Sequence, residues 1–304
     1  MRARTILAAS ALAALVSCSS TPPRPQARVF PTPDDAVKAL VEGVKAKGPD
    51  QLTAVLGPDA KDLIESADPQ AGQRARQVFK VAAAERWHLE DQGADKILVV
   101  GNEDWPFPIP IVKEAAGWHF DSAKGREEVL NRQIGRNELA AIKAVHTYVV
   151  AQRLYAKQGH DGKPAGLYAR TFSSDSGKQN GLYWATAHGE KQSPLGDLVA
   201  QAAAEGRQVG GGQQPVPFHG YFYKILTAQG AAATGGAKDY VVNGDLTGGF
   251  ALVAWPAKYG TTGITTFIVN QDGALREKDL GDGTDAAARA MTAYDPDPTW
   301  TPVQ

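Results

Sequence analysis

REEVLNRQIGRNELAAIKAVHTYVVAQRLYAK, residues 126–157, is the longest stretch of this chain with a helical period and no proline. Val129, Leu130, Ile134, Leu139, Ile142, Val145, Val149 and Leu154 recur at spacings that predict one helix, from near Arg126 to about Lys157, with those side chains on a broad apolar face. Its single glycine, Gly135, followed by Asn137 and Glu138, predicts a break or kink, because glycine weakens a helix interior. Downstream the grain changes. From Gly159 on, glycine and proline punctuate short β-prone runs: Leu182 to Thr186, Tyr221 to Leu226, Gly249 to Ala254, Thr265 to Asn270 and Ala274 to Lys278. Asn270-Gln271-Asp272-Gly273, between two of these runs, signals a hairpin turn. Thr284-Asp285 caps a short helix from Ala286 to Ala293, which ends at Asp295-Pro296-Asp297-Pro298. Residues 125–304 therefore read as a lobe in which a long helix packs on an antiparallel sheet.

Upstream, Thr32-Pro33-Asp34-Asp35 supplies an N-cap, a proline at the first helical position and acids in the first turn. Val37, Leu40, Val41 and Val44 carry that helix to about Lys47, where Gly48-Pro49 stops it. Asp50 to Leu56, Asp59 to Ser66 and Gln70 to Glu85 read as further helices, the first two parted by Gly57-Pro58. The period then changes to that of strands at Trp87 to Leu89, Lys96 to Gly101, Ile109 to Lys113 and Gly117 to Phe120. Helices followed by a small antiparallel meander make residues 34–124 an N-terminal lobe. The fold class is α+β.

The N-terminus carries the plainest signal of location. Arg2 and Arg4 precede an apolar run from Ile6 to Val16, too short to span a bilayer, and Leu15-Val16-Ser17-Cys18 reads as a lipobox. In the chemistry this motif resembles, residues 1–17 are cut away as a signal peptide, Cys18 is acylated, and two or more acyl chains hold the protein at the membrane. Ser19 and Ser20, with no aspartate, favour the outer membrane facing the periplasm. Residues 18–33 form a proline-rich stand-off tether. Cys18 is the sole cysteine, so its lipidation leaves no thiol for a disulfide, a nucleophile or zinc. Loss of Arg2 and Arg4 leaves 30 basic against 33 acidic residues. No basic stripe is visible along the chain, which argues against nucleic acid as a partner.

None of the six histidines stands at a paired metal spacing. His119 and Asp121 lie two apart on a strand and share a face, a candidate polar site that would hold a metal only with ligands from elsewhere; the plainer reading is a hydrogen-bonded structural pair. His160-Asp161-Gly162 reads as a turn, and Ser173-Ser174-Asp175-Ser176-Gly177 as a polar loop, since no Gly-x-Ser-x-Gly elbow occurs. Asp279 with Asp282, and Asp295 with Asp297, fall among glycines and prolines, as turn and cap carboxylates do. Gly210-Gly211-Gly212 lacks the lysine and hydroxyl residue of a P-loop. No metal or cofactor is expected. Trp105 and Phe107, among three prolines, form a rigid aromatic segment that suits either recognition or core packing, and with Trp118 they make up the candidate interaction surface.

Several motifs are familiar as a set: Trp105-Pro106-Phe107-Pro108-Ile109-Pro110, Gly117-Trp118-His119-Phe120-Asp121, Asn137-Glu138-Leu139 with Tyr148 and Ala151-Gln152, Phe267 to Gly273, and Lys278-Asp279-Leu280-Gly281. In that order they resemble the bacterial envelope family called Domain of Unknown Function 2950, which implies an architecture and a location but no catalytic residues. From Asn137 to Gly281 the chain also looks like the globular head of type IV pilins and pseudopilins, although a lipid and a tether stand where those proteins have an assembling membrane helix. The leading expectation is a lipid-anchored, non-enzymatic module for a protein or cell-wall partner. The alternatives are an envelope hydrolase or transferase, and a pilin-like assembly subunit.

Overall fold

The structure, a computed structural model, describes residues 27–46, 48–64, 69–187, 192–204 and 216–303. The signal segment, Cys18, most of the proline-rich segment, His188 and Gly210-Gly211-Gly212 lie outside the described residues. The fold is α+β, and the chain forms two compact units that meet in sequence at Glu127 and Glu128.

In the first unit, α1 (Pro33–Lys45) begins as its sequence dictates: Thr32 is extended, and its hydroxyl oxygen accepts the Asp35 N–H. Ala36, Val37 and Leu40 are buried, and α2 (Asp50–Leu56) comes so close that a Cβ on Gly43 would sit 3.3 Å from Leu52 Cδ2. Where the next helix is predicted, a 3-10 turn, Pro58–Ala60, leads into α3 (Lys61–Ile64), and Glu65 and Ser66 lie outside the described residues. Helix α4 (Pro69–Glu85) follows. The meander consists of β1 (Trp87–Gln92), β2 (Asp95–Val100), β3 (Trp105–Pro106), β4 (Ile111–Glu114) and β5 (Gly117–Phe120), all antiparallel, in the order β1-β2-β4-β5 with β3 also on β2. Its buried side, including Leu98, Ile111 and Phe120, packs with α1, α2 and Phe79 of α4 into one apolar cluster.

One part of the tether expectation is corrected here. Residues 27–33 belong to the folded unit: Phe30 is buried and pairs with Trp118 through both backbone bonds, Phe30 N–H to Trp118 O at 2.7 Å and Trp118 N–H to Phe30 O at 2.8 Å. Gly117 makes room for it. With φ at +135°, a Cβ there would lie 2.6 Å from the Phe30 carbonyl oxygen. Proline-rich composition hid a segment whose one large apolar residue completes the core.

The helix α5 (Ser122–Ala156) starts four residues before the predicted Arg126 and runs 35 residues without interruption through Gly135. The predicted break does not form, and the Cβ position of Gly135 meets nothing within 4 Å. The predicted apolar face needs correction too. Ala141, Ala144, Val145, Tyr148, Val149, Ala151, Gln152 and Tyr155 are buried, whereas Leu139 is 69% exposed and Leu154 44%. Small and polar residues face the core because they fit against the sheet, and two leucines point to solvent.

In the second unit, α6 (Gly196–Ala204) precedes a group of short strands and one central sheet. The short strands are β7 (Ala228–Gln229), β8 (Lys238–Asp239), β9 (Val241–Val242), β10 (Asp245–Leu246) and β14 (Ala293–Tyr294). The sheet runs β15-β13-β12-β11-β6, built from β6 (Tyr221–Leu226), β11 (Ala251–Pro256), β12 (Thr265–Asn270), β13 (Arg276–Asp279) and β15 (Thr301–Pro302), all antiparallel. Every residue of β11 is buried, so both faces of the sheet are covered. Tyr221 and Phe267 lie on the face toward α5, where Glu138 reaches the Tyr221 hydroxyl; Phe222 and Trp255 lie on the other, against α7 (Thr284–Ala290). The predicted turn joins β12 to β13, with the Gly273 N–H donating to Asn270 O and a Gly273 φ of +82°. Asn243-Gly244, not among the turns read from sequence, joins β9 to β10 with φ positive at both residues. The run Leu182 to Thr186 is not a strand. Leu182 and Tyr183 donate to Thr171 O and Phe172 O in a loop, leaving one isolated bridge between Ser173 and Tyr183.

Candidate functional site

The aromatic segment divides into a core residue and a surface residue. Phe107 packs its ring 5.3 Å from that of Phe79 and 6.0 Å from that of Phe120, inside the first unit's cluster. Trp105, edge-on to Phe107 at 6.3 Å, is 42% exposed and is held by strand pairing with Val100. The turn before it is pinned as well: Asn102 donates from its backbone and its amide to Glu85, and Arg86 pairs with Asp104. Trp118 is half-buried, with the Lys113 ammonium 5.6 Å from its ring centre. Of the three aromatic residues read from sequence, Trp105 is the most exposed.

His119 and Asp121 serve different elements. Asp121 is the N-cap of α5, its Oδ1 accepting the Lys124 N–H at 3.0 Å, and His119 Nε2 lies 3.9 Å from Glu114 Oε1. The hydrogen-bonded pair expected from their spacing is replaced by a helix cap, because α5 begins at Ser122. Among the described residues no three histidine, cysteine or acidic side chains cluster as metal ligands would.

His160 sits in the predicted turn, with Asp161 and Gly162 both at positive φ, and it is buried. Its ring stacks on Tyr155 at 4.0 Å; Nε2 lies 3.0 Å from the Tyr155 carbonyl and Nδ1 3.4 Å from Gln179 Oε1. A ring engaged at both nitrogens holds the loop against the helix end. The other candidate carboxylates are turn and cap groups: Asp279 accepts from Tyr259 and Gly281, Asp295 from Ala232, and Asp297 from Thr299. Ser173 to Gly177 is a polar loop, with Asp175 bonded to Asn180 and Lys178. A shallow, open concavity of about 300 Å³ lies at β13, lined by Thr265, Glu277, Lys278, Asp279, Thr299 and Thr301.

The motif residues on α5 hold the second unit together. Glu138 Oε1 accepts the N–H groups of Ile264 and Thr265 at 2.9 and 3.0 Å, and Asn137 donates to Thr262 O at 2.9 Å. Gln152, fully buried, forms a two-point amide pair with Ala169: it donates to Ala169 O and accepts from Ala169 N–H, each at 2.8 Å. The same amide donates to the Tyr148 hydroxyl at 3.1 Å, which donates to Ala251 O at 3.1 Å. Burial pushes the Tyr148 hydroxyl well above the ordinary tyrosine range, so it remains a donor.

The sequence profile of the family described as protein of unknown function (DUF2950) matches residues 27–303. The chain belongs to that family. The match starts at the residue where the described structure starts, so the pairing of Phe30 with Trp118 lies within it. Searches of curated proteins and of solved structures returned no match, and the likeness to pilin heads gains no support from a solved structure.

On the far side of the sheet, the Arg289 Nε–H is shared between both carboxylate oxygens of Asp285 at 2.9 Å, and the guanidinium lies over the rings of Phe222 and Trp255, while Asp285 accepts Trp255 Nε1–H at 2.9 Å. Bonds from Arg289 first, then Trp255, hold the Asp285 carboxyl below the usual aspartate range. Such a group stabilises the fold above its unfolded value of about 3.9 and loses that contribution as pH falls through its lowered folded value. Asp285→Asn is expected to lower the melting temperature at pH 7 by about 2 °C, as an exposed pair does. It should also flatten the acid-side decline, measured by thermal unfolding between pH 7 and 2.5. An unchanged acid-side slope would count against this assignment.

Proposed function

We propose that this DUF2950 protein is a lipid-anchored envelope protein, tethered through Cys18, whose folded body is a non-enzymatic binding or scaffold module for a protein or cell-wall partner, most naturally on the periplasmic face of the outer membrane. The observation that carries the binding role is Trp105: a large aromatic side chain, 42% exposed, on a strand whose neighbouring turn is pinned and whose next residues are proline and a core phenylalanine. A rigid aromatic anchor loses little conformational entropy on binding. The lipobox supports the anchor. Eight residues lie between Cys18 and Ala27, so the docked segment begins within about 30 Å of the acylated residue even at full extension.

A photoreactive amino acid at the exposed Glu103, introduced in living cells, tests the binding role. The expected result is a discrete covalent adduct that disappears in Trp105→Ala. Adducts with lipid alone, or an adduct indifferent to Trp105→Ala, would refute it. Labelling with a clickable fatty acid tests the anchor separately, with signal expected in the parent and lost in Cys18→Ala.

A further inference from the structure

The linear sequence shows no basic stripe, yet folding makes one. From Arg136 to Ala156 the exposed residues of α5 are Arg136, Leu139, Lys143, His146, Val150, Arg153 and Leu154, and the exposed Lys157 follows in the turn at the helix end. At about 100° per residue, the seven helical positions fall within an arc about 100° wide. Opposite that arc lie the buried Ala141, Tyr148, Gln152 and Tyr155. The exposed arc thus holds three permanent cations and three apolar side chains, with Leu139 at 69%, Val150 at 53% and Leu154 at 44% exposure, and Lys157 adds a fourth cation at the helix end. The helix itself supplies no carboxylate to them: Glu138 is the only acidic residue between 129 and 157, and its Oε1 is turned inward to the Ile264 and Thr265 N–H groups. Arg153 donates to the Gln271 carbonyl at 2.8 Å, a partner that carries no formal charge.

We propose that this face of α5 docks on an anionic phospholipid surface, its cations at the headgroup phosphates and Leu139, Val150 and Leu154 inserted at the headgroup boundary. Exposed leucines among lysines and arginines on one helix face are the pattern of an interfacial helix, where apolar burial and attraction to anionic lipid act together. A purely polyanionic partner would have no use for the apolar side chains. A second copy of the same face would set cation against cation. The proposal goes beyond the Trp105 reading and rests on the anchor reading only for bringing the protein to a membrane.

The test uses the full chain from residue 18 onward with Cys18→Ser, which binds vesicles through its folded surface or not at all. Cosedimentation with vesicles of 30% phosphatidylglycerol in phosphatidylethanolamine is expected, with little on neutral phosphatidylcholine, and release as salt rises. Lys143→Glu and Lys157→Glu should each weaken binding about fivefold or more. Leu139→Asn with Val150→Asn should weaken vesicle binding but leave retention on polyglutamate beads unchanged. These positions are exposed, so unchanged melting temperatures confirm that each variant folds. No sedimentation with anionic vesicles, equal binding to neutral ones, or indifference to the apolar substitutions would overturn the proposal; the last would point to an acidic protein instead. Fatty-acid labelling at Cys18 is read independently, so failure here leaves the anchor standing.

Discussion

Gln152→Ala is expected to destabilise the second unit by about 3–5 kcal/mol, the largest effect of any single substitution on α5. Gln152 is fully buried and makes three hydrogen bonds, to both backbone groups of Ala169 and to the Tyr148 hydroxyl. Truncation leaves a buried N–H and a buried carbonyl without partners, each costing about 1–3 kcal/mol, and adds a cavity. Ala169 and its neighbour Tyr168 also touch the sheet region through the Leu246 carbonyl and the Phe250 ring, while His160, Lys163 and Arg170 fix other points of the same loop, which follows α5. The melting temperature should fall by about 10 °C. Gln152→Glu separates hydrogen bonding from volume. Its carboxyl still accepts the Ala169 N–H, but facing Ala169 O it must be protonated, so burial raises its folded pKa and stability rises as pH falls. A drop of under 2 °C in Gln152→Ala, or no acid stabilisation in Gln152→Glu, would show that the amide pair does not hold the loop.

That the pair matters was only half legible in the sequence. Tyr148 and Ala151-Gln152 stood out as family-like motifs, yet a glutamine on an apolar face gives no hint of what it bonds, because its partner lies 17 positions away in a loop. Local chemistry was read well where it is local: the Thr32-Pro33-Asp34-Asp35 cap, the turn at Asn270 to Gly273, and the strand Tyr221–Leu226 to its end residues. Residue type misled where the partner decides. Leu139 and Leu154 were placed on the core face because they are leucines, whereas the sheet accepts Ala141, Ala144 and Ala151, whose small side chains allow close approach. Leu182 to Thr186 has strand-like composition, but loop carbonyls take its N–H groups before any ladder does. Near-neutral net charge averages over the basic face of α5, and only the helical period gathers Arg136, Lys143 and Arg153 together, with Lys157 at the helix end. Asp121 was misassigned to His119 for the same reason: a cap is recognised only once the helix start is placed.

Phe30→Ala is expected to cost the first unit about 3 kcal/mol and to free the segment that joins the fold to the lipid site. Phe30 is buried among Val37, Leu40 and Phe120, and removal of a large aromatic side chain from such a cluster carries that order of cost. Its two backbone bonds to Trp118 survive the substitution in principle, but without the ring they lie at a sheet edge with only the Arg28 N–H to Ala54 O bond, 3.1 Å, to help. Edge pairing unsupported by side-chain burial opens readily. Proteolysis reads this directly. Arg24 is followed by proline, which blocks trypsin, so Arg28-Val29 is the first cleavable bond beyond it. In the parent that bond is protected by pairing on both sides, and in Phe30→Ala it should be cut at least tenfold faster under native conditions. For a chain acylated at Cys18, the consequence is mechanical: the first fixed residue moves from about Ala27 to about Pro33, and the extended reach grows from about 30 Å to about 50 Å. If reach sets which partner the body meets, Phe30→Ala should alter the Glu103 adduct without touching Trp105. Equal cleavage rates in the two proteins would show that Phe30 does not hold the segment down, and that the leash is as long as proline composition alone suggests.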